Sequence, residues 1–264
     1  MKSLLLTGLL FILILPGCRK ETSILPLLQS VEKLIPMYAD SASVLLDSIQ
    51  APDELTDKDF AHWCMLCGKV TDEAATGLLP IYQWQRAQQW FTEHGTAEEQ
   101  AQIDLYLGRA YVEDGEYDKA MQIYADALQL AKEHQAYNVA GYICAYMADL
   151  YGFRDITSEC LKKREEACEF FKKAENYKSY AYSLKDLAGE WAILDSFACT
   201  IPLLQKADSI SQLLHNKNLT AAIANAFALI YEMQGKYNEA ETAYLKAIST
   251  RSEESYKDSI GLLK

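Results

Sequence analysis

Turn-forming residues are scarce in this sequence. Only 12 glycines and 6 prolines occur among 264 residues, and half of all residues are hydrophobic. Because glycine and proline mark the turns between short strands, their scarcity argues against an all-β chain. The composition therefore predicts an all-α protein with long helices and few connections.

Positive charge and catalytic motifs are lacking as well. The formal net charge is −12, and no long run of Lys or Arg occurs. Nucleic acids and anionic lipid headgroups both require a basic surface, so we expect neither as a partner. The sequence also contains no nucleophile elbow, phosphate-binding loop or paired-histidine zinc motif. We therefore predict a non-enzymatic protein without a cofactor or a metal site.

The first residues have the pattern of an export signal. A basic start at Lys2 precedes an apolar run that ends in Leu15-Pro16-Gly17-Cys18, which resembles a lipobox. We predict that residues 1–17 are a lipoprotein signal peptide, that Cys18 carries the lipid, and that residues 18–26 form a tether. An uncleaved membrane anchor is the alternative, but the run is shorter than the roughly 20 residues that span a bilayer. The protein is thus expected to be lipid-anchored to a bacterial membrane, namely the outer membrane at its periplasmic face or at the cell surface.

A repeat with a period of 40 residues organises the rest of the chain. One column is large and apolar, the next is small, and the column three residues later is mostly aromatic. These columns are Cys67, Leu107, Met147, Leu187, Phe227; Gly68, Gly108, Ala148, Ala188, Ala228; and Thr71, Tyr111, Tyr151, Trp191, Tyr231. A further column is alanine throughout: Ala87, Ala127, Ala167, Ala207, Ala247. Small residues beside large ones indicate antiparallel helices whose backbones approach closely.

The columns resemble the tetratricopeptide repeat. The best-matching unit carries Leu107-Gly108, Tyr111, Ala120, Tyr124 and Ala127, and the unit with Phe227-Ala228 and Tyr231 follows it closely. The resemblance implies a right-handed superhelical solenoid of about five helix pairs over residues 53–252. A period of 40 exceeds the family's usual period of about 34, so longer helices are expected; HEAT-like repeats are the alternative.

Less regular segments flank the repeats. Residues 27–52 are predicted to form a capping helical hairpin, and residues 253–264 a partial terminal helix that would begin a sixth unit. The segment that starts Tyr38-Ala39-Asp40 resembles exported repeat lipoproteins of Bacteroides-type bacteria.

Cys64 and Cys67 form a Cys-x-x-Cys pattern that could be a redox pair or half a zinc site. Both cysteines fall inside a predicted helix, with only His62 nearby, whereas a structural zinc site needs four ligands. We therefore interpret them as packing residues.

The inner, concave wall is the predicted binding surface, because the first helix of each unit lines it in the family that the chain resembles. The partner-binding residues predicted there are Lys69, Tyr106, Arg109, Tyr142, Tyr146, Tyr182, Lys185 and Asn225. Tyrosine and arginine are enriched in binding hot spots, although the tyrosines could equally pack between repeats.

The sequence thus predicts a membrane-tethered scaffold or adaptor of the cell envelope that binds a segment of another envelope protein. Two alternatives stay open. One is a glycan-binding lipoprotein, and the other is a shortened form of a signalling or regulatory repeat protein.

Overall fold

The computed structural model describes residues 24–74 and 76–261, with side chains up to residue 251. These residues form helices and connections only, without a strand. The signal peptide, Cys18 and the first part of the tether lie outside the described residues. The helices are α1 (Leu25–Leu34), α2 (Ala39–Asp47), α3 (Asp57–Ala74), α4 (Ile81–His94), α5 (Ala97–Glu113), α6 (Tyr117–Glu133), α7 (Tyr137–Phe153), α8 (Thr157–Lys173), α9 (Tyr177–Ile193), α10 (Phe197–Leu213), α11 (Lys217–Met233) and α12 (Tyr237–Gly261).

Helices α3 to α12 form five antiparallel pairs, which confirms the predicted solenoid. In pairs two to five, each first helix packs most extensively on the second helix of its own pair. Each of helices α5 to α11 contains 17 residues. The long repeat period therefore comes from long helices joined by short linkers, as the sequence predicted.

Identical turns join the helices from α5 onward. Each linker contains one residue with a left-handed backbone: Gly115, Gln135, Asp155, Glu175, Asp195, His215 and Gly235. The residue that follows donates its N–H to a carbonyl five residues earlier, as Glu116 does to Tyr111 at 2.8 Å and Ser196 to Trp191 at 2.9 Å. This Schellman arrangement satisfies carbonyls that the end of a helix leaves unpaired. One turn geometry repeated at each linker gives the solenoid its constant period.

The repeat columns form the core. Each member of the all-alanine column is at most 8% exposed, and the alanines of the small column are fully buried. In the small column, glycine is required where an aromatic ring of a neighbouring helix occupies the space that an alanine methyl group would fill. A Cβ on Gly68 would lie 2.3 Å from the Tyr106 ring, and one on Gly108 would lie 2.3 Å from the Tyr124 ring.

The two ends differ in how closely they follow the expected boundaries. Helices α1 and α2 form the predicted N-terminal hairpin, which packs on α3 and begins two residues before residue 27. At the other end α12 continues unbroken through residue 252 to Gly261. Residues 253–261 therefore extend α12 instead of starting a separate helix.

Candidate functional site in the concave groove

Four first helices, α3, α5, α7 and α9, line one cavity of about 350 Å³. Because these helices belong to successive pairs, their shared cavity identifies the inner, concave wall of the solenoid. Its polar and aromatic lining includes Asp72, Glu73, Arg109, Tyr142, Tyr146, Asp149, Arg164, Lys178, Tyr182 and Asp186. We call this space the central cavity.

An ion pair crosses the central cavity from α3 to α9. Lys178 Nζ lies 2.8 Å from Glu73 Oε2, although the two residues are 105 positions apart in the chain. Both side chains are close to half exposed. The solenoid therefore curves tightly enough for its first and fourth units to touch across the groove.

A hydrogen-bonded cluster on α3 and α5 holds Arg109 in place. The Arg109 guanidinium donates to Asp72, which also accepts a 2.8 Å hydrogen bond from the Tyr106 hydroxyl. The guanidinium also lies over the Tyr146 ring, 4.8 Å from its centroid. Burial raises the pKa of Asp72, and the nearby Arg109 partly opposes that rise. Arg109 thus presents to the cavity a charge that is already paired.

Arg164, on α8, forms a second charged cluster that lines the cavity. Its guanidinium donates to Asp149 at 2.7 Å and to Glu190 at 3.3 Å, and its side chain is only 11% exposed. Burial raises the pKa of Asp149, and Arg164 partly opposes that rise. In the 40-residue repeat Arg164 occupies the position of Trp84, Tyr124, Leu204 and Tyr244, and a charge at a mostly large, apolar or aromatic position was the one sign of its role in the sequence.

Tyrosines cover the wall between these clusters. The Tyr142 hydroxyl lies 2.8 Å from Ser179 Oγ, and its ring meets the edge of Phe171 at a centroid distance of 4.8 Å. Tyr146 stacks on Tyr124 at 6.4 Å. Since Tyr142, Tyr146 and Tyr182 are half-buried, each ring both packs and contributes to the cavity surface.

The structure distributes the predicted binding residues along the groove. Arg109, Tyr142, Tyr146 and Tyr182 line the central cavity, and Lys185 and Asn225 line a neighbouring cavity of about 370 Å³. Lys69 lines a smaller cavity near the N-terminal hairpin, where its Nζ lies 3.5 Å from Glu32. Their role in partner binding stays a prediction.

Tyr106 departs from that expectation. Its side chain is 0% exposed because the ring fills the space above Gly68, and its hydroxyl is used by Asp72. It positions Arg109 through their common partner and offers no surface of its own.

Gly189 is a groove residue that the sequence analysis did not single out. It lies inside α9 and lines the neighbouring cavity, and a Cβ there would meet nothing within 4 Å. A glycine inside a helix costs about 0.5–1 kcal/mol relative to alanine, and no packing contact here requires it. Its position in the small-residue part of the wall, with Ala222 and Ala226, leaves the helix backbone open to the cavity.

The cysteines show no sign of redox or metal chemistry. Cys64 is fully buried, Cys67 is half-buried, and both lie inside α3. Burial raises the pKa of both thiols, so both stay protonated at neutral pH. Within residues 24–74 and 76–251, no cluster of His, Cys, Asp and Glu could hold a metal ion. In the part of the chain that the structure covers, no helix combines the length and apolarity needed to cross a membrane.

Two family models, both described as tetratricopeptide repeat, match residues 107–135 and 220–254. They coincide with the two units in which the sequence columns are best kept. Together with the fold, these matches support a tetratricopeptide-repeat protein. No curated protein matches the chain.

Solved structures with tetratricopeptide-like folds resemble this chain over most of its length. BtubC from P. vanneervenii aligns with a TM-score of 0.61 and 16% identity, covering 89% of this chain and 93% of its own. A Rap protein complexed with competence and sporulation factor aligns with a TM-score of 0.59 and 16% identity, covering 90% and 68%. A signal transduction ATPase with numerous domains from Pyrococcus horikoshii, which has a tetratricopeptide repeat sensor, aligns with a TM-score of 0.63 and 14% identity, covering 88% of this chain and 37% of its own. At such low identity the likeness establishes the fold alone.

Proposed function

We propose that this protein is a non-catalytic, membrane-tethered scaffold that holds a segment of another envelope protein in its concave groove. The central cavity carries this proposal, because four helices bring aromatic rings and fixed charges to one concave surface. Such surfaces provide large contact areas and oriented hydrogen bonds at little cost in side-chain entropy.

Groove chemistry changes along its length in a way that suits a polypeptide. The central cavity is polar and aromatic, whereas the next cavity toward α11 is bordered by Gly189, Ala222, Ala226 and Leu229. The two cavities share Arg164 and Asp186, so one continuous ligand can occupy both. A segment with a polar part followed by an apolar part fits this order.

The Glu73–Lys178 pair does not bar entry to the groove. Exposed pairs of this kind contribute about 0.2–1 kcal/mol, which a bound segment can easily offset. In support of ligand binding, a Rap protein of the same fold was crystallised in complex with competence and sporulation factor.

Substitution of Gly189 tests the groove more cleanly than substitution of Arg109, whose loss would leave the Asp72 carboxylate without its charge partner. We expect Gly189→Glu to fold normally, since its Cβ enters open space, and to block the groove. Ala125→Glu, on the exposed face of α6, is the matched control. In a crosslinking pull-down with the lipidated protein from envelope extracts, Gly189→Glu should lose partner bands that Ala125→Glu retains. Identical bands for both variants would refute groove binding.

Tethering through Cys18 is tested separately. We expect wild-type protein to incorporate labelled palmitate and to sediment with membranes, and Cys18→Ser to lose both properties. Membrane sedimentation of Cys18→Ser without label would instead favour an uncleaved anchor.

The four tryptophans give no support to the alternative of glycan binding. Trp63 and Trp84 are buried, and Trp90 packs between His62 and His94. Trp191 is half-buried against the core. No tryptophan is therefore left as an exposed platform for a sugar ring within the residues described.

A further inference from the structure

A second cavity, of about 470 Å³, opens beside the central cavity toward the C-terminal ends of α5 and α7. Its outer walls are apolar and include Leu78, Val112, Leu150 and Phe153. Phe153 stands at the mouth and is 69% exposed, an unusual exposure for a large aromatic side chain. We call this space the side pocket; its volume lies in the range of small-ligand pockets.

The inner end of the side pocket is polar. Tyr124, Tyr146, Arg109 and Asp149 line it, and the last three also line the central cavity. The side pocket is therefore a branch of the same groove, in which an apolar entrance leads to hydrogen-bonding groups.

Tyr124 has a hydroxyl without a partner. The side chain is 0% exposed, and its oxygen makes no hydrogen bond to any described residue. Tyr124 lines the side pocket together with Tyr146, Arg109 and Asp149, and burial raises the pKa of its hydroxyl. Because an unsatisfied buried hydroxyl is costly, its retention points to a ligand group that satisfies it.

The charges around the pocket select a neutral ligand. Arg109 is already paired with Asp72, and Asp149 with Arg164. Glu113, which also lines the pocket, further disfavours an anion. What fits is a flat apolar ring with one uncharged hydrogen-bonding group at its far end.

We propose that the side pocket is an anchor site for a tyrosine side chain of the bound segment. A phenol hydroxyl both donates and accepts, so it can pair with the Tyr124 hydroxyl and with the Asp149 carboxylate, whereas the indole N–H of tryptophan only donates. The ring packs against Val112, Leu150 and Phe153. This inference rests on the proposed function only in assuming that the tyrosine belongs to a protein partner.

The test uses two probes that differ by one hydroxyl group. N-acetyl-tyrosinamide and N-acetyl-phenylalaninamide are titrated into the full chain, and Kd is measured by NMR. A net hydrogen bond is worth about 0.5–1.5 kcal/mol, so the wild type should bind the tyrosine probe about 2- to 13-fold more tightly. Tyr124→Phe should reduce this preference, because the phenol then keeps only its hydrogen bond to Asp149. Phe153→Ala, at an exposed position, should weaken both probes and keep the preference.

Equal affinities in the wild type, an undiminished preference in Tyr124→Phe, or no binding of either probe would each overturn the assignment. Gly189→Glu separates this result from the proposed function, because it blocks the groove about two helices away and should leave the probe preference intact. Loss of partner bands in Gly189→Glu together with absent probe preference would refute the tyrosine pocket alone.

Discussion

Replacing Gly108 and Gly189 by alanine, one at a time, should shift stability in opposite directions. Both glycines lie inside 17-residue helices, so alanine improves helix propensity by about 0.5–1 kcal/mol at either position. At Gly189 nothing lies within 4 Å of the new methyl group, so the whole gain should remain. At Gly108 the methyl group would lie 2.3 Å from Cε1 and 2.7 Å from Cδ1 of Tyr124.

The loss of stability in Gly108→Ala follows from the burial of the Tyr124 ring, which the new methyl group would contact. Tyr124 is 0% exposed and cannot move outward without displacing its neighbours. Overpacking of this kind typically costs about 1–3 kcal/mol. After the gain in propensity, Gly108→Ala should lose up to about 2.5 kcal/mol and Gly189→Ala should gain about 0.5–1 kcal/mol.

Thermal unfolding followed by circular dichroism measures the difference. For a domain of this size, 1 kcal/mol corresponds to about 2–4 °C in Tm. Adding Tyr124→Leu to Gly108→Ala should recover part of the loss, because unit four buries Ala188 with Leu204 at the same two columns. If Gly108→Ala is as stable as Gly189→Ala, then glycine is not retained there for close packing, and the explanation of the small column is incorrect.

Three further predictions concern single groups. Glu175→Gly should raise stability by about 1 kcal/mol in chemical denaturation, because the left-handed backbone of Glu175 is strained for a residue with a side chain. Gly115→Ala, at an equivalent turn, should lower stability by a similar amount. If both variants are as stable as the wild type, this account of the turns is wrong. Burial raises the pKa of Asp104 to about 6, although a 2.6 Å hydrogen bond from Gln88 partly opposes that rise. The folded protein then binds more protons than the unfolded chain between about pH 4 and 6, so its stability falls as the pH rises through this window. Asp104→Asn should remove that part of the pH dependence and raise stability by about 1–2 kcal/mol at pH 7. Urea unfolding at several pH values measures both effects. Tyr124→Phe should raise Tm slightly by removing an unsatisfied hydroxyl, and a loss above about 1 kcal/mol would indicate a partner for that hydroxyl within the protein.

The regular part of the fold could be predicted because one physical requirement recurs at each helix crossing. Close approach of backbones demands a small residue, and Ala87, Ala127 and Ala167 meet that demand at a fixed spacing. The regular spacing of these small residues along the sequence was therefore enough to predict the helix pairs and their packing faces. The extension of α12 to Gly261 did not follow from this logic, because the last residue of the repeat columns is Ala247.

The turns could be predicted only in part. Turn signals in the sequence fall at Asp114-Gly115, Arg154-Asp155, Asp195-Ser196, His215-Asn216 and Gln234-Gly235, but Gln135 and Glu175 adopt the same left-handed backbone with no such signal. The hydrogen bonds of the Schellman turn, such as Asn176 N–H to Phe171 at 3.0 Å, supply the compensation. That compensation depends on where both helices end, which a local residue pattern does not specify.

The groove was harder to predict because residues of one column can serve different roles. Tyr106 and Tyr146 occupy the same column, yet only Tyr106 is fully buried. The Tyr106 ring can sink into the space above Gly68, whereas the space above Gly108 is already filled by Tyr124. Tyr146 is therefore left to stack on Tyr124, at the point where the central cavity and the side pocket meet. Whether a tyrosine belongs to the core or to the binding surface thus depends on which aromatic ring occupies the space above a glycine. That packing involves residues of several columns on different helices, so it cannot be read from one column alone.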